Sequence, residues 1–292
     1  MTIHVPVMLA EVLAQLAPRA GQRLVDGTLG GGGHTRRLAE AVGAAGNVLA
    51  LDRDPLAVAR ASETLRGLPV SVANASYAEL PEVLQEIGAP LVDGILLDLG
   101  LSSDQLADAA RGFSFSGSGE LDLRFDATRG EPAWRLLERA GEQQIADWIY
   151  QYGEERSSRR IARAIVERRR GNPVRTAEEL AELVRRAVPR TPGPQRIDPA
   201  TRTFQALRIA VNDELGELER ALARLPDCLR SGGRLAIISF HSLEDRLVKN
   251  AFRDDPRLRA LTKKPLVASD EEVASNPRSR SAKLRVAERV SG

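Results

Sequence analysis

Short apolar runs separated by stretches of helical spacing dominate this chain. Five of these runs are predicted to be buried parallel strands: residues 23–25, 47–51, 70–72, 93–100 and 234–240. Met8 to Ala17 has apolar residues at helical spacing, and residues 36–41 indicate the first turns of a second helix. A last run, residues 283–287, alternates polar and apolar residues and is predicted to be an outer strand. Strands that alternate with helices predict an α/β fold with a doubly wound, Rossmann-like parallel sheet.

The segment that follows the first strand is rich in glycine. It reads Asp26-Gly27-Thr28-Leu29-Gly30-Gly31-Gly32-Gly33-His34-Thr35 and leads into the second helix. Glycine allows a backbone with positive φ and leaves no side chain between the main chain and a bound molecule. In a doubly wound sheet this is the position of a ligand-binding turn. A flexible linker is the alternative, but linkers rarely separate an apolar strand from an amphipathic helix.

The composition of this turn narrows the choice of ligand. A phosphate-binding P-loop requires lysine after its last glycine, whereas His34 follows Gly33 and no lysine occurs in the first two hundred residues. The dinucleotide fingerprint requires a third glycine where Thr35 stands. An acid directly before the turn, Asp26, suits a ligand with a cationic group. These features favour S-adenosylmethionine, whose methionyl end and sulfonium are positive.

Acidic residues follow two further strands of the predicted sheet. Asp52 ends the second strand and Asp98 ends the fourth, so both are expected at the same edge as the glycine turn. A carboxylate at Asp52 would accept hydrogen bonds from ribose hydroxyls. Asp54 before Pro55 is typical of a helix N-cap. Tyr77, after the third strand, is either a candidate for packing beside an adenine ring or an ordinary half-buried residue.

A long interval of about 130 residues separates the fourth and fifth strands, far more than one crossover helix requires. Candidate helices cover residues 134–139, 143–150, 156–170 and 176–188, and another begins at Thr201. Thr176 and Glu179 form a capping box at the start of the fourth of them. The chain is therefore predicted to contain a discontinuous sheet domain, residues 1–106 and 211–292, and an inserted helical substrate-recognition subdomain, residues 107–210.

The composition excludes several classes of protein. The chain has 292 residues, of which 42% are hydrophobic and 28% charged, as in a globular protein with a core. Cys228 is the single cysteine, so neither an intramolecular disulfide nor a zinc–thiolate cluster is possible. No apolar run approaches the roughly 20 residues that span a bilayer, and the N-terminus lacks the features of a signal peptide. We therefore expect a cytoplasmic protein with no membrane partner.

Basic residues cluster in two places, although the formal net charge is only +2. Seven arginines crowd one predicted helix: Arg156, Arg159, Arg160, Arg163, Arg168, Arg169 and Arg170. Lys263 and Lys264, together with residues 278–285, form the second cluster. A solvated helix face is the usual explanation of such a run. Two clusters in a nearly neutral chain nevertheless favour a nucleic-acid partner.

Nine stretches of the chain are similar to one family of enzymes. They cover residues 4–7, 26–35, 52–55, 93–103 with 105–106, 111–115, 152–155, 201–208, 238–246 and 280–285. With these motifs over nearly its whole length, the chain resembles the ribosomal small-subunit RNA methyltransferase H family, which are bacterial 16S rRNA cytosine-N4 methyltransferases. The resemblance implies a Rossmann-like S-adenosylmethionine-dependent methyltransferase fold with S-adenosylmethionine as the cofactor.

The same resemblance implies the residues of the site and its target. The cofactor-binding residues would be Gly32, Gly33, His34, Asp52, Tyr77, Asp98 and Gln105. The target would be the N4 atom of a cytidine in the decoding region of 16S rRNA, with the small ribosomal subunit as the expected partner. The family typically has histidine where this chain has Asp198, which cannot serve as a cation. A valine at Gly32 is expected to enter the cofactor site and abolish binding while the fold stays intact.

The implied chemistry is one in-line displacement, in which the exocyclic amine attacks the sulfonium methyl group and no metal is needed. The acceptor of the amine proton stays unassigned because residues 98–101 lack the Pro-Pro motif of many amino-methyltransferases; Ser239 and His241 are weak candidates. Methylation at cytosine C5 would need a cysteine, and Cys228 precedes the fifth strand, away from the ligand edge. A nucleotide-dependent dehydrogenase and a non-enzymatic RNA-binding assembly factor are the alternatives, and a homodimer stays open.

Overall fold

The computed structural model describes residues 5–102, 105–106, 108, 111–115, 119–189 and 198–291. The chain forms two compact units. The first unit combines residues 1–103 and 215–292, and the second covers residues 104–214. The predicted insertion, residues 107–210, falls inside the second unit, which extends a few residues further at each end. Its role in substrate recognition stays a prediction.

The first unit is built on a seven-stranded sheet. Its strands are β1 (Arg23–Asp26), β2 (Asn47–Asp52), β3 (Val70–Asn74), β4 (Val92–Asp98), β5 (Leu229–Ser239), β6 (Leu258–Ala260) and β7 (Lys283–Arg289). Their spatial order is β3-β2-β1-β4-β5-β7-β6, and β7 alone among these seven runs in the opposite direction to the others. The strand order reverses between β1 and β4, the position at which such sheets bind ligands beyond their carboxyl ends. This topology confirms the predicted Rossmann-like fold class.

Twelve helices occur in the described residues. They are α1 (Leu9–Leu16), α2 (Gly33–Val42), α3 (Pro55–Thr64), α4 (Leu80–Glu86), α5 (Ala133–Arg139), α6 (Glu142–Gly153), α7 (Ser158–Arg168), α8 (Ala177–Ala187), α9 (Ala200–Asn212), α10 (Glu214–Arg224), α11 (Ser242–Asp254) and α12 (Asp270–Ser275). Helices α5 to α9 belong to the second unit, where they confirm the five helices predicted from the sequence.

Helices cover both faces of the sheet in the first unit. Leu96 and Leu97 are adjacent on β4 and both fully buried, yet they belong to different cores. The core around Leu97 contains residues of α4, α10 and α11, whereas the core around Leu96 contains residues of α1 and α2. Because successive side chains of a strand point to opposite faces, a strand covered on both faces is a continuous apolar run. This is why the parallel strands could be predicted.

The prediction that residues 283–287 form an outer strand is wrong. They begin β7, which lies between β5 and the three-residue edge strand β6. The alternating pattern was misleading because Arg285 is only 6% exposed. Its guanidinium Nε donates a hydrogen bond of 2.6 Å to Asp245 Oδ1, and the ion pair allows a charged side chain in the interior.

Capping and ion pairing define the second unit locally. The predicted capping box of α8 is present: Glu179 N donates to Thr176 Oγ1 at 3.2 Å, and Thr176 N donates to the Glu179 carboxylate at 3.2 Å. Asp198 accepts two hydrogen bonds from Arg185, at 3.0 and 2.6 Å, and one from Ala200 N at 2.8 Å, at the start of α9. In this chain Asp198 thus has a local structural role.

Candidate functional site

The carboxyl ends of β1, β2 and β4 bring the predicted acids of the first unit to one edge of the sheet. Asp26 is paired in register with Ala50 of β2 and Leu96 of β4. Asp52 and Asp98 are the last residues of β2 and β4. Parallel strands end on the same side, so the glycine turn after β1 lies at the same edge as both acids.

Asp26 stabilises the glycine turn by accepting hydrogen bonds from it. It is 1% exposed, and its carboxylate accepts hydrogen bonds from Thr35 Oγ1 at 2.7 Å and from Thr28 N at 3.1 Å. Burial raises the pKa of Asp26, although those hydrogen bonds and nearby His34 act in the opposite direction. The interpretation of Asp26 as a partner for a cationic ligand stays a prediction, which the burial of its carboxylate and the hydrogen bonds from the turn do not favour.

Asp52 connects β2 to the glycine turn. Its Oδ2 accepts a hydrogen bond from Gly30 N at 2.8 Å, and its Oδ1 accepts one from Asp54 N at 2.9 Å. Burial raises the pKa of Asp52 to about 6. Asp54 caps α3, as predicted, by accepting a hydrogen bond from Leu56 N at 3.0 Å. The two acids thus have different roles, and Asp52 is the one at the strand end.

His34 and Asp98 form a buried pair at the centre of the edge. His34 Nε2 lies 3.6 Å from Asp98 Oδ2, and the two side chains are 6% and 16% exposed. Burial would lower the pKa of His34, but the carboxylates of Asp98 and Asp26 outweigh it and raise that pKa. Within the described residues, Asp98 Oδ1 and both ring nitrogens of His34 are buried without a hydrogen-bond partner. Buried polar atoms of this kind are rare unless a ligand or water binds them.

A cavity of about 30 Å³ opens beside this pair. Its lining includes residues of the glycine turn and of the segment after β4, together with His34, Asp98, Phe240 and Arg278. A ligand site typically measures about 300–1,000 Å³. This cavity is therefore too small for a whole cofactor, which would have to extend from it along the edge of the sheet. Sequence reasoning missed Phe240 and Arg278 as site residues. Arg278 was assigned to a basic cluster, and only its position in the fold separates it from its neighbours.

The glycines of the turn differ in what they allow. Gly30 and Gly32 have φ values of 50° and 77°, which side chains rarely adopt. A Cβ added at Gly32 would lie 3.4 Å from Leu65 of the core, and one at Gly33 would lie 3.2 Å from Pro6. The expectation for Gly32→Val stays a prediction, and because a β-branched side chain would be strained at this φ, we expect the variant also to lose stability.

The other predicted cofactor residues lie in different parts of the chain. Tyr77 opens a short 3-10 turn after β3 and is half-buried against the core. A Cβ added at Gly27 would lie 3.0 Å from Tyr77 Cβ, which puts Tyr77 at the same edge as the glycine turn. Gln105 belongs to the second unit. Their contacts with a cofactor, like those of Gly32, Gly33, His34, Asp52 and Asp98, remain predictions.

The candidates for accepting the amine proton have structural partners. Ser239 is 1% exposed, and its Oγ donates to the Lys283 carbonyl at 3.4 Å. His241 caps α11 through its Nδ1, which accepts a hydrogen bond from Glu244 N at 3.4 Å, and its Nε2 lies 3.1 Å from Glu244 Oε1. Cys228 is buried just before β5, at the opposite end of the strand, and burial raises its pKa to about 11. A thiol with that pKa is not a nucleophile near neutral pH.

The arginine cluster around α7 contains two kinds of side chain. Arg169 Nη1 donates to the carbonyls of Leu137, Glu138 and Ala140 at the end of α5, at 3.0, 3.1 and 2.7 Å. Arg168 forms an ion pair of 2.9 Å with Glu179. The remaining members are exposed: Arg156, Arg159, Arg160, Arg163 and Arg170. Arg168 and Arg169 therefore stabilise the unit, whereas the other five are exposed to solvent, although Arg163 also lies 3.6 Å from Glu142 Oε1.

The chain is similar to proteins of known family. The Ribosomal RNA small subunit methyltransferase H of Rhodopirellula baltica is 54% identical over 99% of this chain and 92% of its own length. The protein of the same name from Deinococcus deserti is 53% identical over 99% of this chain and 94% of its own. A solved rRNA methylase structure from Streptococcus thermophilus aligns over 100% of both chains at 13% identity, with a TM-score of 0.46.

None of the helices in the described ranges is long and apolar enough to cross a membrane.

The family model of the MraW methylases matches residues 1–290, which is nearly the whole chain. This match and the two relatives agree with the resemblance drawn from the motifs, and they confirm it. The chain therefore belongs to the MraW methylase family, so it is a methyltransferase and its cofactor is S-adenosylmethionine.

Proposed function

We propose that the protein transfers a methyl group from S-adenosylmethionine to the exocyclic N4 of a cytidine in the decoding region of 16S rRNA, within the small ribosomal subunit. The name that the relatives share supports the substrate class, the RNA of the small subunit. The choice of N4 and of the decoding region follows from the resemblance of the sequence motifs. Cytoplasmic localisation follows from the same proposal.

Unsatisfied buried polar atoms at the sheet edge carry the proposal. The cofactor supplies an electrophilic methyl group on a sulfonium. Asp98 Oδ1 has no hydrogen-bond partner within the described residues, so it is available to a polar ligand. A carboxylate oxygen beside a glycine turn suits the ammonium group of the cofactor's methionyl end.

The remaining cofactor contacts extend along the same edge. Each oxygen of Asp52 accepts one backbone hydrogen bond and keeps lone-pair capacity for a ribose hydroxyl. Tyr77 would pack beside the adenine ring. Gly32 and Gly33 allow the main chain to approach the cofactor closely. Gln105 is included through the family resemblance.

Exposed arginines of the second unit suit the phosphates of the substrate. Arg156, Arg159, Arg160 and Arg163 are exposed on or next to α7. Contacts of this kind supply affinity that falls with added salt, but they do not select a base. Selection of one cytidine would depend on contacts between its base and the residues at the carboxyl ends of the strands.

The test is methyl transfer from labelled S-adenosylmethionine to small ribosomal subunits that lack the modification. The product nucleosides are then identified by mass spectrometry. N4-methylcytidine is the expected product. A parallel incubation with naked 16S rRNA asks whether the assembled subunit is required. Asp254→Ala, which changes an exposed residue of α11, is the matched control variant.

Two other outcomes would change the proposal in different ways. A different methylated nucleoside would contradict the target atom and leave the cofactor in place. Cofactor binding by calorimetry without any transfer would favour the non-enzymatic assembly factor instead. A chain that binds no S-adenosylmethionine would contradict the whole assignment of the sheet edge.

A further inference from the structure

One charged side chain in the edge cavity has no role in the site described so far. Arg278 lines this cavity together with Gly30, Gly33, His34 and Asp98. It is half-buried, whereas Arg280 two residues later is exposed. Burial lowers the pKa of Arg278, and the charge of Asp98 acts against that decrease. Arg278 thus shares the cavity at the ligand-binding turn with the carboxylate of Asp98.

The backbone that carries Arg278 is fixed from both sides. Ser279, the next residue, is fully buried, and its Oγ donates to the Asn276 carbonyl at 2.9 Å. Asn276 is buried too, and its Nδ2 donates to the Val5 carbonyl at 3.2 Å, which connects this turn to the N-terminal segment. The fold therefore fixes the backbone from which the Arg278 side chain reaches the cavity.

We propose that Arg278 binds the carboxylate of the cofactor's methionyl group, while Asp98 on the same cavity accepts its ammonium. The amino-acid end of S-adenosylmethionine is a zwitterion, and the described wall of the cavity includes the Arg278 side chain and the carboxylate of Asp98, which has an open oxygen. A guanidinium binds a carboxylate through two parallel hydrogen bonds, which gives both energy and orientation. This inference rests on the proposed function, since it specifies one contact of the same cofactor.

An RNA phosphate is the competing partner for Arg278. Phosphates of a large RNA are bound by basic side chains at the surface, and this chain has such residues in Lys263, Lys264 and Arg280. Arg278 differs from these three in being half-buried and in sharing a cavity with the glycine turn. The observations therefore favour a small ligand that enters the cavity over a polyanion that covers the surface.

The experiment compares two thioethers that differ only in the carboxylate. S-adenosylhomocysteine has it, and its decarboxylated analogue, S-adenosyl-3-thiopropylamine, lacks it. Calorimetry on the full chain gives the ratio of their dissociation constants. The wild type should prefer S-adenosylhomocysteine by about 10- to 100-fold, the range expected for a charged hydrogen-bonded pair. Arg278→Ala should bind both ligands about equally.

Two matched variants separate this role from a structural one. Arg280→Ala removes an exposed arginine of the same turn and should keep the wild-type preference. Arg278→Lys keeps the charge without the planar fork and should recover part of the preference. Thermal unfolding of the three variants identifies any loss of fold.

Three results would overturn the inference. The first is an unchanged preference in Arg278→Ala, and the second is an equal loss of affinity for both ligands. The third is an unchanged ratio together with a raised KM for the ribosomal subunit, which would assign Arg278 to an RNA phosphate. If the wild type binds neither thioether, the proposed function fails instead, so the two failures are distinguishable.

Discussion

Two acids at the ends of neighbouring strands, Asp26 of β1 and Asp98 of β4, have opposite relations to their surroundings. Asp26 is almost completely buried, and its oxygens accept hydrogen bonds from Thr28 and Thr35. Asp98 is somewhat more exposed and keeps one buried oxygen without a partner in the described residues. An acid whose two oxygens both accept hydrogen bonds from the turn stabilises that turn, whereas one with an open oxygen is available to a ligand. Strand position alone does not separate these roles.

Substitution of Asp98 should have the largest effect on the site. Asp98→Ala removes the open carboxylate oxygen, so the affinity for S-adenosylhomocysteine should fall by about 10- to 100-fold, the range of a charge-assisted hydrogen bond. Its effect on thermal stability should be limited to the loss of the contact between Asp98 Oδ2 and His34, because no described hydrogen bond of Oδ1 is lost. Calorimetry and thermal unfolding measure the two quantities, with Asp254→Ala as the exposed control. Unchanged affinity would remove Asp98 from the cofactor site.

Substitution of Asp26 should show the reverse pattern. Asp26→Ala leaves Thr28 N and Thr35 Oγ1 without their acceptor, which should cost about 2 kcal/mol in the free energy of unfolding. Chemical denaturation checks this value. Any loss of cofactor affinity should be recovered at a temperature low enough to keep the turn folded. Full stability combined with lost binding would contradict the comparison between the two acids.

The sequence predicted those parts of the fold in which one physical pattern dominates. The central strands are apolar on both faces, so β4 could be recognised as a continuous run. The edge strand β6 has three residues and no such signal. Arg285 on β7 was misinterpreted because its burial depends on Asp245, a partner 40 positions away. Such pairs are created by tertiary structure and leave no local pattern.

The same limit applies to the candidate site. Glycines and strand-end acids are local signals, and they led to the edge at which His34 and Asp98 meet. Local sequence could not identify Arg278 as a cavity residue. It belongs to the same basic segment as Arg280, which is only two positions away but exposed. Likewise, Asp26 and Asp98 look alike in sequence. Their difference lies in which hydrogen-bond donors the fold brings to each.

A pH titration should distinguish a third acid, Asp52, from both. Burial raises its pKa to about 6, so its carboxylate is charged at pH 7.5 and becomes neutral at lower pH. If the charged form binds ribose hydroxyls, cofactor affinity should fall by up to about tenfold for each pH unit below 6. Calorimetry from pH 7.5 to 5 measures this decrease. Asp52→Asn should remove that part of the pH dependence and leave the contributions of His34 and Asp26.

The stability of the free protein should respond to Asp52 with the opposite sign. Its pKa in the folded chain is higher than the usual value of 3.8, so the folded form binds the proton more tightly than the unfolded form. Protonation of Asp52 therefore adds stability as the pH falls from about 6 towards 3.8. Chemical denaturation of wild type and Asp52→Asn at pH 7 and pH 5 isolates this contribution. If Asp52 instead lowered the free energy of unfolding as the pH falls over this interval, its raised pKa would be contradicted.

The smallest expected effect tests the glycine turn that follows Asp26. Gly32→Ala places a Cβ on a residue with φ of 77°, which should cost about 1 kcal/mol of stability. Gly67→Ala is the matched control, because its φ is 85° and no atom lies within 4 Å of the added Cβ, so only the backbone strain remains. Chemical denaturation compares the two variants. An equal loss in both would mean that the φ value accounts for the effect, and a larger loss at Gly32 would measure its contact with Leu65 at 3.4 Å. A Gly32 variant as stable as the wild type would contradict the positive φ, and with it the path of the turn between Asp26 and His34.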